Sequence, residues 1–203
     1  MATPFRPALA LLGQYAEYHR DRRNIVTHFV GVPMIVFGIG VLLAAVHIGY
    51  NGRDITLAWA TFALVAAWYL TRGHVGIGLA TTVGVGLLMA LAHQVADGPL
   101  LQWLGWGLGF FAVGWVIQFI GHYYEGKKPA FADDLVGLLV GPMFVVLEML
   151  APLGLFRGLM AGVEGHAGPT HVRDLAHPVA RDQDQDQRQG LASGKKACSP
   201  PTL

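Results

Sequence analysis

Apolar residues run along this chain in long blocks, each ended by a short polar break, and that rhythm predicts membrane helices rather than an amphipathic soluble bundle. From Phe29 to Tyr50 there is no Asp, Glu, Lys or Arg. The first span is therefore predicted over 25–50. Asn51-Gly52-Arg53-Asp54, Arg72-Gly73-His74 and Asp97-Gly98-Pro99 read as turns and separate further spans over 55–70, 75–96 and 100–122. The third run is rich in glycine and threonine (Gly76, Gly78, Gly84, Gly86, Thr81, Thr82), which predicts a helix packed inside the bundle. The fourth carries Trp103, Trp106 and Trp115, spread as interfacial aromatics are.

The two ends of this apolar core are less regular. Leu9, Leu12, Tyr15 and Ala16 fall at helical spacing, so 5–23 is predicted to be an interfacial helix followed by a turn at Asp21-Arg22-Arg23-Asn24. Asn24 is expected to cap the first span, which would start near Ile25. Residues 135–150 are apolar again, but Gly141-Pro142 and Glu148 interrupt them. A fifth crossing, a broken helix and a re-entrant segment all fit. Past 162 the chain turns to Gly, His, Pro, Asp, Gln and Arg, and 163–203 are expected to form a disordered polar tail. The fold class is thus an all-α integral membrane bundle, with 1–162 as its embedded domain.

Composition agrees. Only 13% of residues are charged and 53% are hydrophobic, while the formal net charge is +1, so nothing favours a nucleic-acid partner. The single cysteine, Cys198, lies in the polar tail and excludes a disulfide framework, a Cys-based zinc site or a cysteine nucleophile in the core. Lysine and arginine gather on cytoplasmic loops of membrane proteins. Placing Arg20, Arg22 and Arg23 inside puts Arg72, Lys127 and Lys128 on the same side. It also puts His19, His28, His74 and His122 near the cytoplasmic face, and His47 and His93 near the other.

His19 and His28 are nine residues apart, half a revolution on one unbroken helix, so they converge only if the chain turns between them. Gln118 and His122 are one helical turn apart on a shared face, with Glu125 three residues on. Three such imidazoles with open positions would suit a non-haem Fe(II) or a catalytic zinc; each is equally readable as a plain interfacial group. Glu148 inside an apolar run is either protonated or paired. Gln118 reads as an orienter of His122, a substrate contact or an interhelical hydrogen-bonder. Lys127 and Lys128 mark the cytoplasmic side or hold a carboxylate. Pro33 leaves the Phe29 carbonyl without its helical donor.

Tyr15-x-x-Tyr18-His19, Asn24, His28 and Pro33, followed by Trp115-x-x-Gln118-Phe119-Ile120-Gly121-His122, Glu125, Lys127-Lys128-Pro129-Ala130, Asp134-Leu135, Gly141-Pro142 and Glu148, resemble the membrane-bound 2-hydroxy fatty acid dioxygenases. The resemblance covers about residues 11–150 and is specific in its two motif blocks. It implies an Fe(II)-dependent, O₂-consuming α-oxidation that shortens a 2-hydroxy acyl chain by one carbon. It makes His19, His28 and His122 the metal ligands. Gln118, Glu125 and Glu148 become supporting or substrate-contacting residues, and Tyr15, Asn24, Lys127 and Lys128 substrate-binding candidates. The expected setting is a multi-pass protein of a bacterial inner membrane, or of the endoplasmic reticulum, with its site facing the cytoplasm. A transporter of metal or small solute and a non-catalytic membrane scaffold are the competing readings.

Overall fold

A computed structural model describes residues 6–50, 53–129 and 136–175. Its elements are α1 (Ala8–Ala16), α2 (Arg22–Ala44), β1 (His47–Tyr50), β2 (Arg53–Thr56), α3 (Leu57–Leu70), α4 (Val75–Ala96), α5 (Leu100–Glu125), α6 (Val136–Leu150), a 3₁₀ turn (Ala151–Leu153) and α7 (Arg157–Ala167). Four segments are long and apolar enough to cross a membrane: α2, α4, α5 and the stretch Val136–Leu153. The protein is built as a multi-pass membrane bundle. α3, at 14 residues, is only about 21 Å long and falls short of a typical hydrocarbon core.

Two predicted boundaries move. The first span ends at Ala44 rather than residue 50, because β1 and β2 pair antiparallel with His47 opposite Thr56 and Ile48 opposite Ile55. Val46, Ile48 and Ile55 are β-branched residues in an alternating run, and Asn51-Gly52 between them is a strong hairpin signal. The start of the span also moves, from Ile25 to Arg22. Asp21, not Asn24, is the cap, its carboxylate accepting the Arg23 backbone N–H at 2.9 Å.

The dominant interface is that of α2 with α5, and its cause is a seam of small residues repeating every seven positions. Gly31 meets Gly114, Gly38 meets Gly107, and Asn24 and Thr27 meet Gly121. A Cβ at Gly38 would stand 2.7 Å from the Gly107 carbonyl oxygen, and one at Gly114 2.9 Å from that of Gly31. Backbones so close cannot yield. Leucine at Gly114 is therefore expected to destabilise the bundle by at least ~2 kcal/mol, read as a lowered midpoint of thermal unfolding in detergent. An unshifted midpoint would refute the seam. α4, expected inside the bundle, packs on α2, α3 and α6, with Gly78 against the Tyr69 carbonyl.

Contacts along α6 show which end of the bundle it reaches. The Tyr69 hydroxyl, at the end of α3, donates to the Leu139 carbonyl at 2.9 Å. Phe144 packs on Tyr15 and His19, and Glu148 reaches Arg20. Beyond α6, the Phe156 ring meets His74. The end of α5, where Glu125 holds the turn before α2, and the end of α6 thus stand at the same end of the bundle. The opposite end is closed by the hairpin: His93 Nδ1 donates to the Met89 carbonyl, and its Nε2 lies 2.8 Å from the Thr56 hydroxyl.

Of the tail expected to be disordered, 163–171 are instead ordered, and 176–203 lie outside the described residues. α7 continues through Ala167, and Leu159 and Val163 are buried, because these apolar residues one turn apart seat the helix against α1. After it, 168–171 form a strap over the turn that precedes α2. The Arg22 N–H donates to the His171 carbonyl and the His171 N–H to the Arg20 carbonyl, each at 2.9 Å. The Asp182–Gln187 repeat lies outside the described residues.

Candidate metal centre

The first half of the site is a turn. α1 ends at Ala16, and the His19 N–H still donates to the Ala16 carbonyl; the chain then reverses through Arg20 and Asp21 into α2. Glu125, from the last turn of α5, holds that reversal. Its Oε1 accepts the Arg20 backbone N–H at 3.0 Å, and its Oε2 accepts the Asp21 N–H at 2.8 Å and the Asn24 side-chain amide at 3.1 Å. A carboxylate at a helix N-terminus also faces the positive end of the helix dipole. Arg20 completes the turn from within. It is buried; its Nε donates to the Ala16 and His19 carbonyls, one Nη to the Gly168 carbonyl, and the other pairs with Glu148 at 3.3 Å.

Because the chain turns here, His19 and His28 meet rather than diverge. Their ring centroids are 4.5 Å apart, and His122 lies 4.9 Å from His19 and 5.3 Å from His28. The three are 0%, 1% and 7% exposed, respectively. One nitrogen of each lies within 4.8 Å of the others; among the described residues this is the one such group of His, Cys, Asp or Glu.

The hydrogen bonds determine which nitrogens are available. His19 Nδ1 lies 2.7 Å from the Tyr15 carbonyl oxygen, and His28 Nδ1 lies 2.8 Å from that of Asn24. A carbonyl only accepts, so both Nδ1 atoms carry the proton and both Nε2 atoms keep a lone pair. His19 Nε2 and His122 Nδ1 are buried with no hydrogen-bond partner. Such orphans cost about 1–3 kcal/mol each, and an ion shared among the rings would relieve the cost. Burial, reinforced by His28 and His122, also holds the His19 imidazole well below its ordinary range, which keeps it neutral and able to ligate. The residues present can therefore hold a metal.

The other sequence candidates fall around this centre. The Tyr15 ring stacks on His19 at 4.1 Å, and burial pushes its phenol pKa up, so it stays protonated. Gln118 is buried, with its Nε2 unpartnered and set against Gly31. Tyr15, His28, Gln118 and His122 line one cavity of ≈ 210 Å³ whose other walls are apolar, from Val32, Ile35 and Ile39 on α2 to Trp115 on α5 and Pro142 on α6. Lys127 and Lys128 are exposed, and the Lys127 ammonium donates to the Glu17 carbonyl at 2.9 Å. Glu148 is not in the histidine cluster; its partner is Arg20. Reading Arg20 as a topological marker misses this role, although a glutamate inside an apolar run already calls for a buried cation.

Residues 5–153 match the family model described as 2-hydroxy-palmitic acid dioxygenase Mpo1-like. The chain belongs to that family. It is also 33% identical over 156 residues to the 2-hydroxy-palmitic acid dioxygenase MPO1 of Saccharomyces cerevisiae, an alignment covering 75% of this chain and 85% of the yeast protein. No solved structure matches it. The Mpo1-like stretch takes in all three histidines, Glu125 and Glu148 but ends before α7 and the strap.

Proposed function

We propose that this protein is an Fe(II)-dependent dioxygenase that shortens 2-hydroxy fatty acids by one carbon at the cytoplasmic face of its membrane. The observation that carries the reading is the convergence of three buried imidazoles, two with their lone pairs fixed by backbone carbonyls, at the head of an apolar cavity. The name of the yeast relative supports the substrate class. The cytoplasmic orientation rests on Arg20, Arg22, Arg72, Lys127 and Lys128, which precede or follow spans at the triad end.

His19, His28 and His122 would hold the iron, which when bound supplies a Lewis acid for the 2-hydroxy carboxylate and a redox partner for O₂. The reaction balances without a further reductant: the 2-hydroxy acid and O₂ give the shortened acid, CO₂ and water, with O₂ taking all four electrons. Tyr15 Oη and Gln118 Nε2 are the donors placed to orient a polar head group. Glu125 and Arg20 act one layer out, by holding the turn that sets His19 against His28. Lys127 and Lys128 meet the carboxylate before it enters. A transporter would need its site near the bilayer midplane, whereas these ligands gather at one end of the bundle, where α6 also ends.

Purified protein reconstituted with Fe(II) is expected to consume one O₂ and release one CO₂ per 2-hydroxy acid shortened. Folded, iron-loaded protein that leaves 2-hydroxy acids of every length intact would overturn the assignment.

A further inference from the structure

Gln118 holds a buried donor that the fold leaves unused. The residue is 4% exposed and its Nε2 has no hydrogen-bond partner, although a side-chain amide between membrane helices ordinarily bonds across the interface. Its place is made by a missing side chain: a Cβ at Gly31 would stand 2.5 Å from that nitrogen. Because α2 and α5 run antiparallel along the glycine seam, Gly31 and Gln118 lie at one level, about one helical turn, roughly 5 Å, further into the bundle than His28 and His122. Beyond that level α2 and α5 line the cavity with Val32, Ile35, Val36 and Phe111, and the Trp115 indole is the one polar group. The Tyr15 hydroxyl stands against Gly141 of α6 instead. The sides of the head region are therefore chemically unlike, and along α2 and α5 the lining passes from imidazole through a neutral amide to hydrocarbon.

A 2-hydroxy acid carries its groups in a matching order: carboxylate, hydroxyl, alkyl chain. No Asp, Glu, Lys or Arg lines the cavity among the described residues, so the carboxylate finds a counter-charge only at the triad, from the ion proposed there. With the carboxylate at the triad and the chain on apolar walls, the two remaining substituents of C2, hydroxyl and hydrogen, point to different sides. Inverting that carbon exchanges them. We infer that Gln118 Nε2 donates to the hydroxyl oxygen on C2 and thereby selects one configuration of that carbon. This rests on the 2-hydroxy fatty acid reading above. In the mirror-image acid, and in the acid without a hydroxyl, a hydrogen faces the amide and its donor stays buried and unpaired. A site built to bond a hydroxyl rejects analogues that lack it far more strongly than an apolar pocket does.

The test measures binding without turnover, with full-length, iron-loaded protein in lipid nanodiscs under nitrogen. The probes are the two enantiomers of one 2-hydroxy acid and the plain acid of the same length. For the wild type, one enantiomer is expected to bind about tenfold or more tightly than the other and than the plain acid. Gln118→Met, which keeps the length of the side chain and removes the donor, should bring the three dissociation constants within about twofold of one another. A merely structural role for Gln118 would weaken all three alike and preserve their ratios. Gln118→Asn withdraws the amide by one methylene and is expected to lose the preference likewise, which covers the case in which Gln118→Met does not fold. Equal binding of the enantiomers by the wild type, or an undiminished preference in a folded variant, would overturn the inference. If the preference is present and follows Gln118, yet admitting O₂ releases no CO₂, the dioxygenase reading fails and the role of Gln118 stands.

Discussion

Alanine at His122 is expected to reduce bound metal from one equivalent to nearly none and to lower turnover of 2-hydroxy acids by at least about a thousandfold, with the bundle still folded. The ring stands 4.9 Å from His19 and 5.3 Å from His28, and no His, Cys, Asp or Glu side chain among the described residues stands ready to replace it. Two imidazoles cannot match the affinity of three, and the chemistry is absent without the ion. His122→Ala also removes an orphaned buried nitrogen, so its effect on folding should be small. That makes it a cleaner probe than His19, whose ring packs between Tyr15 and Phe144. Metal analysis beside thermal unfolding separates the two effects. His74→Ala serves as comparison: that imidazole accepts the Ile77 N–H at the start of α4, so its loss should cost about 1 kcal/mol and leave metal content alone. Full metal content in His122→Ala would remove the triad from consideration.

Glu125 carries the second large effect. Its carboxylate accepts three N–H donors from Arg20, Asp21 and Asn24, and in Glu125→Ala the two buried backbone donors lose this acceptor while the Asn24 amide keeps the Tyr18 carbonyl. A loss of stability on the order of 3 kcal/mol or more follows from that alone. The consequence for the metal is indirect but severe, since the turn that brings His19 to His28 loses its clamp. Glu125→Gln keeps one good acceptor oxygen and should fold, binding metal about 10–100-fold more weakly, as expected for a residue that positions ligands. If Glu125 were itself a ligand, Glu125→Gln would change the ligand-field spectrum of a Co(II)-substituted site. An unchanged spectrum with weakened affinity is the expected pair of results; unchanged affinity and stability would dismiss the clamp.

The parts of the site that can be read along one chain are those whose geometry is local. The nine-residue spacing of His19 and His28 demands a turn, and Gln118 and His122 share a helix face, so both halves of the centre are visible before any fold is known. What holds the halves together is not. Nothing near Glu125 distinguishes a ligand from a clamp, because its three donors lie more than a hundred positions away. The seam is hidden for a different reason. α5 contains Gly105, Gly107, Gly109, Gly114 and Gly121; a Cβ on Gly105 or Gly109 would meet nothing within 4 Å, while Gly107, Gly114 and Gly121 abut α2. Only the partner helix, with Gly31 and Gly38 seven residues apart, selects the set that matters. Asn24 illustrates competition between two nearby groups: both it and Asp21 can cap, and Glu125 claims the Asn24 amide.

The strap at 168–171 has a consequence for how the centre is made. Its backbone pairs with Arg20 and Arg22, within three residues of the first histidine, yet it is synthesised about fifty residues after the last one, and chains emerge from the ribosome N-terminus first. The three histidines are thus synthesised before the contact that fastens their turn exists. On the proposed metal centre, an ion would meet a partly open site that α7 and the strap then close, an order of assembly supplied by a segment outside the Mpo1-like stretch.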